Sequence, residues 1–400
     1  MSTGWRNTAG IAYSIIKIAR LRSRAIRGVS MSNLFDYLDW QGKSSLEERP
    51  FNEVDNLLLS TLAYVPLAGA APGAGEGRCT LQEAASRFLM GDGIRELRDK
   101  RDAQLLVKAA ESRRFRELEL SLWTGCLDRE AEEQFGAGMF HMGDGSVFVA
   151  YQGTDNSLVG WKEDFNMGFQ SPVPSQAEAA KYLLLAAQEE PEVNFRIGGH
   201  SKGGNLAVYA AVHAPEELRG RIRAIYNNDG PGFVGPLLES ESYLALRNRV
   251  HTYVPQSSVV GMLLNHEEAY EVVRSNQHLL LQHDPYSWEV EGEQFVRAER
   301  LDSGSILLDY TLRDWIYSMK IEEREGFVDA LYEILSASEA ETLPELAANW
   351  VWSVPRVIRK LHDLDPASRR LIKKALLQLF RSARDTIPAV WLTGMIQRTE

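Results

Sequence analysis

Apolar residues in the first hundred positions of the chain recur at helical spacing. Residues 50–66 predict a helix whose apolar side chains share one face: Val54, Leu57, Leu58 and Leu62. Residues 67–78 are rich in glycine, alanine and proline and predict a loop. Thr80 and Glu83 have the spacing of a capping box that opens a second helix. Asp102 is placed to cap a third helix, so the N-terminal part is predicted to be helical.

From about residue 118 the apolar period changes to alternation, which indicates β-strands. Residues 135–142 and 147–151 flank a Gly-Asp-Gly turn and predict a β-hairpin. Four further strands are predicted, with helices such as 176–189 between them: 193–197, 222–226, 249–254 and 270–274. Strands that alternate with helices predict an α/β fold, whose central sheet is mainly parallel after an antiparallel start.

The last hundred residues return to helical periodicity, in four segments: 305–322, 325–337, 344–362 and 366–384. Three parts are therefore predicted along the chain. Residues 1–30 form a basic extension, residues 31–300 form the α/β domain, and residues 301–400 form a helical appendage or lid.

Composition changes this picture little but excludes some functions. The chain has 400 residues, of which 44% are hydrophobic and 25% charged, as is typical of globular proteins. The net charge of −11 argues against a nucleic-acid partner. The eight histidines are scattered without metal-ligand spacing, so no metal and no cofactor are predicted. Cys79 and Cys126 cannot form a disulfide framework and are interpreted as buried thiols.

No apolar run approaches the roughly 20 residues that a membrane-spanning helix needs. Residues 9–19 are apolar, but most positive charges of the first thirty residues follow them, unlike in a secretory signal peptide. We therefore expect a cytoplasmic protein. Residues 1–30 are interpreted as an upstream extension before a start at Met31. The alternative is a basic amphipathic helix in peripheral contact with a membrane.

The stretch 198–205 carries the clearest chemical signal. Residues 199–203 have the pattern G-x-S-x-G between a strand-like and a helix-like run, which is the context of a nucleophile elbow. Glycines permit the sharp turn that exposes the Ser201 hydroxyl. The alternative is a glycine-rich turn with an inert serine. A phosphate-binding P-loop is excluded, because Lys202 is followed by a glycine.

A nucleophilic serine needs a base and an acid, which in this class of fold follow in the order serine, acid, histidine. His283 lies in a loop after the last predicted strand and is predicted to be the base. His266 and His278 on nearby loops are the alternatives. Asp229 opens an Asp-Gly-Pro-Gly loop at the end of a strand and is predicted to be the acid, although turn chemistry alone also explains it.

An oxyanion hole needs two backbone N–H groups. Lys202 supplies one at the start of its predicted helix, because it follows the nucleophile directly. Gly153 or Thr154, in the loop after an earlier strand, is predicted to supply the other, with an ordinary β-turn as the alternative. Residues 161–165 follow and are expected to line the cleft or to form a solvated amphipathic turn.

These segments resemble known families. Residues 151–155, 161–165 and 199–203 resemble the Phe-Arg-Gly-Thr, Asp-Trp and G-H-S-x-G segments of class 3 lipases. More closely, residues 31–385 look like the Mbeg1-like family of α/β-hydrolase-related proteins, through motifs that agree in order: 33–40, 50–55, 198–205, 227–232, 254–261 and 282–288. The resemblance implies an α/β-hydrolase fold and a serine-hydrolase layout, without a known substrate.

One departure from class 3 lipases concerns the acid. Their aspartate belongs to an Asp-x-Val-Pro segment, and the corresponding place in this chain, residues 257–260, contains no carboxylate. Either the acid has moved to Asp229, one strand earlier, or the set of three residues is incomplete. We predict the move.

The sequence thus predicts a serine hydrolase that acts on an acyl or lipid-like ester through Ser201, His283 and Asp229. A hydrolase-derived binding or regulatory module with an inactive site is the alternative. Transfer of the acyl group to an acceptor other than water would use the same residues. The separation of the His283 imidazole from the Ser201 hydroxyl distinguishes a catalytic from a binding site.

Overall fold

The computed structural model describes residues 32–91 and 93–302 and, of the C-terminal region, residues 311–312, 314–337, 342, 359–360, 362–375, 377–379 and 381–382. The predictions for residues 1–30, including their membrane contact, and for most of 344–362 lie outside the described residues. The domain boundary near residue 300 stays a prediction.

Among the described residues, four α-helices precede the long strands of the main sheet: α1 (Leu34–Gln41), α2 (Glu53–Leu62), α3 (Leu81–Met90) and α4 (Lys100–Glu111). The short first strand of the sheet, β1 (Cys79–Thr80), lies between α2 and α3. The predicted capping box of Thr80 and Glu83 is confirmed. The prediction that Asp102 caps α4 is wrong. Asp99 is the cap and accepts from the Arg101 N–H, whereas Asp102 is fully buried and paired with Arg98. Both aspartates precede the apolar run, so local pattern could not separate them.

The central sheet contains eight strands in sequential order. Strands β1 to β4 are antiparallel: β1, then β2 (Glu119–Asp128), β3 (Glu133–His141) and β4 (Ser146–Tyr151). From β4 onwards each strand is parallel to the next: β5 (Asn194–His200), β6 (Ile222–Asn228), β7 (Val250–Pro255) and β8 (Tyr270–Val273). The predicted α/β sheet, mainly parallel after an antiparallel start, is confirmed.

The remaining elements cover the sheet or follow it. The helices are α5 (Leu158–Asn166), α6 (Pro174–Glu189), α7 (Lys202–His213), α8 (Glu216–Arg221), α9 (Glu241–Leu246) and α10 (Ile321–Ser336). A two-stranded ribbon, β9 (Val290–Glu291) with β10 (Gln294–Phe295), follows β8. The segment predicted as a helix over 325–337 therefore begins four residues earlier.

Alternating side chains of the strands bury both faces of the sheet. On β4, Phe148 and Ala150 belong to the apolar cluster formed with α1 to α4, whereas Val147 and Val149 belong to the cluster formed with α6 and α7. Helices thus cover both faces of the sheet, as parallel strands require. A ligand can therefore reach the sheet only at the ends of its strands, where the active sites of such folds lie.

The two cysteines differ in environment. Cys79 is buried, as expected, but the interpretation of Cys126 as a buried thiol is wrong. Cys126 lies on the outer half of β2, beyond a register shift between Ser121 and Thr124, and every residue from Thr124 to Asp128 is exposed.

A smaller apolar cluster lies in the C-terminal region, where Met319, Phe327 and Val328 pack with Phe169 and Ala375. Within the part of the chain that is described, no helix is both long and apolar enough to cross a membrane. The cytoplasmic location stays a prediction.

Candidate active site

Ser201 occupies a sharp turn between β5 and α7. Its φ of 59° and ψ of −133° are rarely adopted by a residue with a side chain, and such strain persists only where the surroundings enforce it. A Cβ added to Gly199 would lie 2.3 Å from the Gly203 carbonyl carbon, and one on Gly203 would lie 2.2 Å from the Tyr151 oxygen. Both positions therefore require glycine, and the strand, sharp turn and helix that the predicted nucleophile elbow needs are all present.

The structure brings Ser201, His283 and Asp229 together at the carboxyl ends of the parallel strands. His283 Nε2 lies 2.9 Å from Ser201 Oγ, and His283 Nδ1 lies 2.6 Å from Asp229 Oδ2. An imidazole with its proton on Nδ1 donates to Asp229 and accepts from the serine hydroxyl. The three side chains thus form one hydrogen-bonded chain, in the order that was predicted for a serine, its base and an orienting carboxylate.

Asp229 is held tightly at the end of β6. The side chain is fully buried, and the residue has a φ of 55°. Oδ1 accepts hydrogen bonds from the Ser258 hydroxyl and, over 3.2 Å, from the Gly261 N–H, which leaves Oδ2 for His283. Ser258 belongs to the segment in which class 3 lipases carry their acid, so this segment here orients a carboxylate that comes from the preceding strand.

The two alternative histidines, His266 and His278, lie in other environments. His266 Nδ1 lies 3.2 Å from a Glu268 carboxylate oxygen, and His278 is exposed before the short turn that carries His283. The neighbouring Asp284 forms an ion pair of 2.7 Å with Arg101 and accepts a hydrogen bond from the Tyr286 N–H. Of the predicted bases, only His283 is within hydrogen-bond distance of Ser201.

The loop after β4 passes directly beside the elbow. A Cβ on Gly153 would lie 2.4 Å from the His200 carbonyl oxygen, so glycine is needed for this approach. The Thr154 hydroxyl donates to the Asp164 carboxylate at 2.6 and 2.7 Å. Burial raises the pKa of Asp164 to about 6, against the opposing effect of Lys202. The pair fixes the loop that was predicted to supply an oxyanion donor.

The side chain of Lys202 is a feature that the sequence did not reveal. Its Nζ is almost fully buried and donates to the Gln134 carbonyl at 2.6 Å and to Glu163 Oε2 at 2.7 Å. Glu163 is fully buried and also accepts from the backbone N–H groups of Gln134 and Ser175. A charged residue at the start of a buried helix needs an oppositely charged partner. The position of Lys202 before an apolar helix is therefore the sequence signal from which a buried ion pair could be predicted.

The buried ring of His200 contacts the backbone of His283. Its Nδ1 lies 2.9 Å from the Tyr64 hydroxyl, and its Nε2 lies 2.8 Å from the His283 carbonyl oxygen. Burial, with the neighbouring His283 and Arg98, lowers the pKa of His200 well below its ordinary value. A neutral ring that accepts from Tyr64 and donates to His283 satisfies both contacts, so His200 ties the histidine loop to the elbow strand.

This burial predicts a pH dependence of stability. Below about pH 6.5 the unfolded chain protonates His200 and the folded chain does not, so the free energy of unfolding falls as the pH falls. One proton that only the unfolded chain binds lowers the free energy of unfolding by about 1.4 kcal/mol for each pH unit of acidification. Urea unfolding of wild type and His200→Gln between pH 5 and 7.5 should show a flatter curve for the variant. Parallel curves would contradict the neutral buried ring.

Ser201 and His283 open into a cleft of about 510 Å³ whose walls are mostly apolar. Trp161 and Phe165, in the segment expected to line a cleft, do line it, together with side chains from the C-terminal region. No group of three or more histidine, cysteine, aspartate or glutamate residues suited to a metal ion occurs among the described residues.

The sequential sheet, the elbow between β5 and α7 and the helices on both faces make this an α/β-hydrolase fold. Within that class, the chain belongs to the Mbeg1-like family, whose model matches residues 109–333. The resemblance seen in the motifs is thereby confirmed. No curated protein matches the chain.

Solved structures of similar fold include fungal lipases. The native Rhizomucor miehei lipase propeptide complex is 14% identical, with 55% of this chain and 68% of that chain covered and a TM-score of 0.36. Lipase II from Rhizopus niveus is 14% identical, with 54% and 80% covered and a TM-score of 0.32. At these low values the likeness supports no conclusion about activity.

Proposed function

We propose that this protein is a serine hydrolase that cleaves an acyl ester through a covalent acyl-enzyme. The observation that carries the proposal is the continuous hydrogen-bonded chain from Ser201 through His283 to Asp229, with separations of 2.9 and 2.6 Å. These distances lie within the range that proton transfer requires. An inactive binding module would have no need of this alignment, which supports the catalytic alternative.

In the proposed reaction, Ser201 Oγ attacks the ester carbonyl carbon while His283 Nε2 takes the hydroxyl proton. Asp229 stabilises the imidazolium, which then gives its proton to the leaving alcohol. Water enters and attacks the acyl carbon while His283 Nε2 takes one of its protons. The bond between the acyl carbon and Ser201 Oγ then breaks, the acid is released, and the imidazolium returns the proton to Ser201 Oγ. The backbone N–H groups of Lys202 and of Gly153 or Thr154 are proposed to hold the oxyanion.

Fluorophosphonate labelling of the purified full chain tests the proposal. We expect one adduct, found by mass spectrometry on Ser201, and none in Ser201→Ala. His283→Ala should lose nearly all labelling, because the serine then has no base. Ser86→Ala, which changes an exposed serine of α3, is the matched control and should label like wild type. Absence of an adduct on Ser201, or labelling that survives His283→Ala, would overturn the proposal.

A further inference from the structure

The cleft that contains Ser201 has one wall from the α/β domain and one from the C-terminal region. We call the second the C-terminal wall, and it consists of six side chains: Leu312, Trp315, Ile316, Met319, Phe327 and Val328. Leu312 belongs to the helical residues 311–312, Trp315 and Ile316 belong to the helical residues 314–318, and Met319 follows directly after them. These apolar side chains therefore line the same cleft as Ser201.

The space between the walls is not a packing defect. The cleft is open to solvent and has a volume of about 510 Å³, which lies in the range of ligand pockets.

The charged groups that line the cleft are bonded within the protein. Arg98 lies over the Tyr64 ring and pairs with Asp102, while its buried Nε has no hydrogen-bond partner in the described part of the chain. Arg324 donates to the carbonyl oxygens of Met319 and Gly168. Asp164 accepts from Thr154, as described above. The remaining surface of the cleft is mostly apolar and favours an apolar substrate group such as a hydrocarbon chain.

The wall that the α/β domain contributes, which includes α5, is held in place by ion pairs. On α5, which carries Trp161 and Phe165, the fully buried Glu163 pairs with Lys202, and Lys162 pairs with Glu132 at 2.6 Å and with Asp329 of α10 at 2.7 Å. The C-terminal wall meets the cleft with apolar side chains, of which Ile316 and Val328 are the β-branched members. A change of volume at these two positions alters the space for a chain without removing an ion pair.

We propose that the C-terminal wall forms an acyl-chain site and that the enzyme prefers esters of medium- to long-chain acids, with Ile316 and Val328 setting the chain length. This inference rests on the proposed function. Each methylene buried against the wall should raise kcat/KM roughly fourfold until the chain fills the site.

The test compares p-nitrophenyl butyrate, octanoate, laurate and palmitate on the full chain. Compared with wild type, Ile316→Trp should lose at least about tenfold more kcat/KM for laurate than for butyrate, because the indole occupies the space of several methylenes. Val328→Ala should shift the preference towards palmitate, and it keeps the proposal testable if the larger residue disturbs folding. Ile321→Trp, at a position 57% exposed on α10, is the matched control and should keep the wild-type profile.

Binding is measured in parallel with a fluorescent fatty acid on Ser201→Ala and on Ser201→Ala combined with Ile316→Trp. Weaker binding by the second protein is expected. If wild type hydrolyses esters but Ile316→Trp and Val328→Ala leave the chain-length profile unchanged, the acyl-chain site is overturned while the hydrolase stands. If no ester is hydrolysed yet fatty-acid binding depends on Ile316, the proposed function fails and the apolar site stands.

Discussion

Replacing Asp229 with asparagine is expected to lower kcat for ester hydrolysis by about 10⁴-fold while the protein stays folded. The two side chains have the same shape, so the contacts of Oδ1 with Ser258 and Gly261 can persist. An amide NH₂ group facing His283 Nδ1, however, donates a hydrogen bond instead of accepting one. The imidazole then carries its proton on Nε2 and can no longer accept the proton of Ser201.

The measurement is kcat on a p-nitrophenyl ester, with a thermal melt to show that the variant is folded. Asp284→Asn is the matched control, since Asp284 adjoins His283 in sequence but pairs with Arg101. It should retain activity within a few-fold of wild type. If Asp229→Asn stays within about tenfold of wild type, Asp229 is not the orienting acid.

The role of Asp229 could not be predicted from the neighbouring residues alone. Asp229 lies in an Asp-Gly-Pro-Gly loop, and turns and active sites both favour aspartate and glycine there, so the two interpretations were close to even. The contacts that distinguish them come from Ser258 and His283, 29 and 54 residues away. The elbow could be predicted because its strand, turn and helix are contiguous, and the order of Ser201, Asp229 and His283 narrowed the remaining choice.

Other parts of the site depend on pairing between distant residues. Tyr64 reaches His200 across 136 positions, and Glu163 reaches Lys202 across 39. Neither pair leaves a periodic pattern in the sequence. Helical periodicity likewise predicted helices near residues 305–337, but it could not show that Trp315 and Ile316 face the same cleft as Ser201. Local propensity thus predicted the elements, and tertiary contacts decided which residues meet.

Lys202 joins the elbow to the rest of the domain, and its removal should be costly. Lys202→Met leaves the fully buried Glu163 carboxylate without its ammonium partner, and an uncompensated buried charge typically costs about 3–5 kcal/mol. Glu163 keeps two backbone N–H donors, but these do not neutralise its charge. We therefore expect urea unfolding of Lys202→Met to show a free energy of unfolding lower by about that amount.

The double variant Lys202→Met with Glu163→Gln separates the charge from the packing. Removing both charges should recover part of the lost free energy, because the glutamine can still accept from the N–H groups of Gln134 and Ser175. Lys181→Met, on α6 with its side chain 72% exposed and paired with Glu178, is the matched control and should unfold close to wild type. A Lys202→Met protein as stable as Lys181→Met would show that the buried pair does not hold the elbow. Ser201 labelling per folded molecule should survive in the double variant, since position 202 contributes to the proposed oxyanion hole through its backbone N–H and not through its side chain.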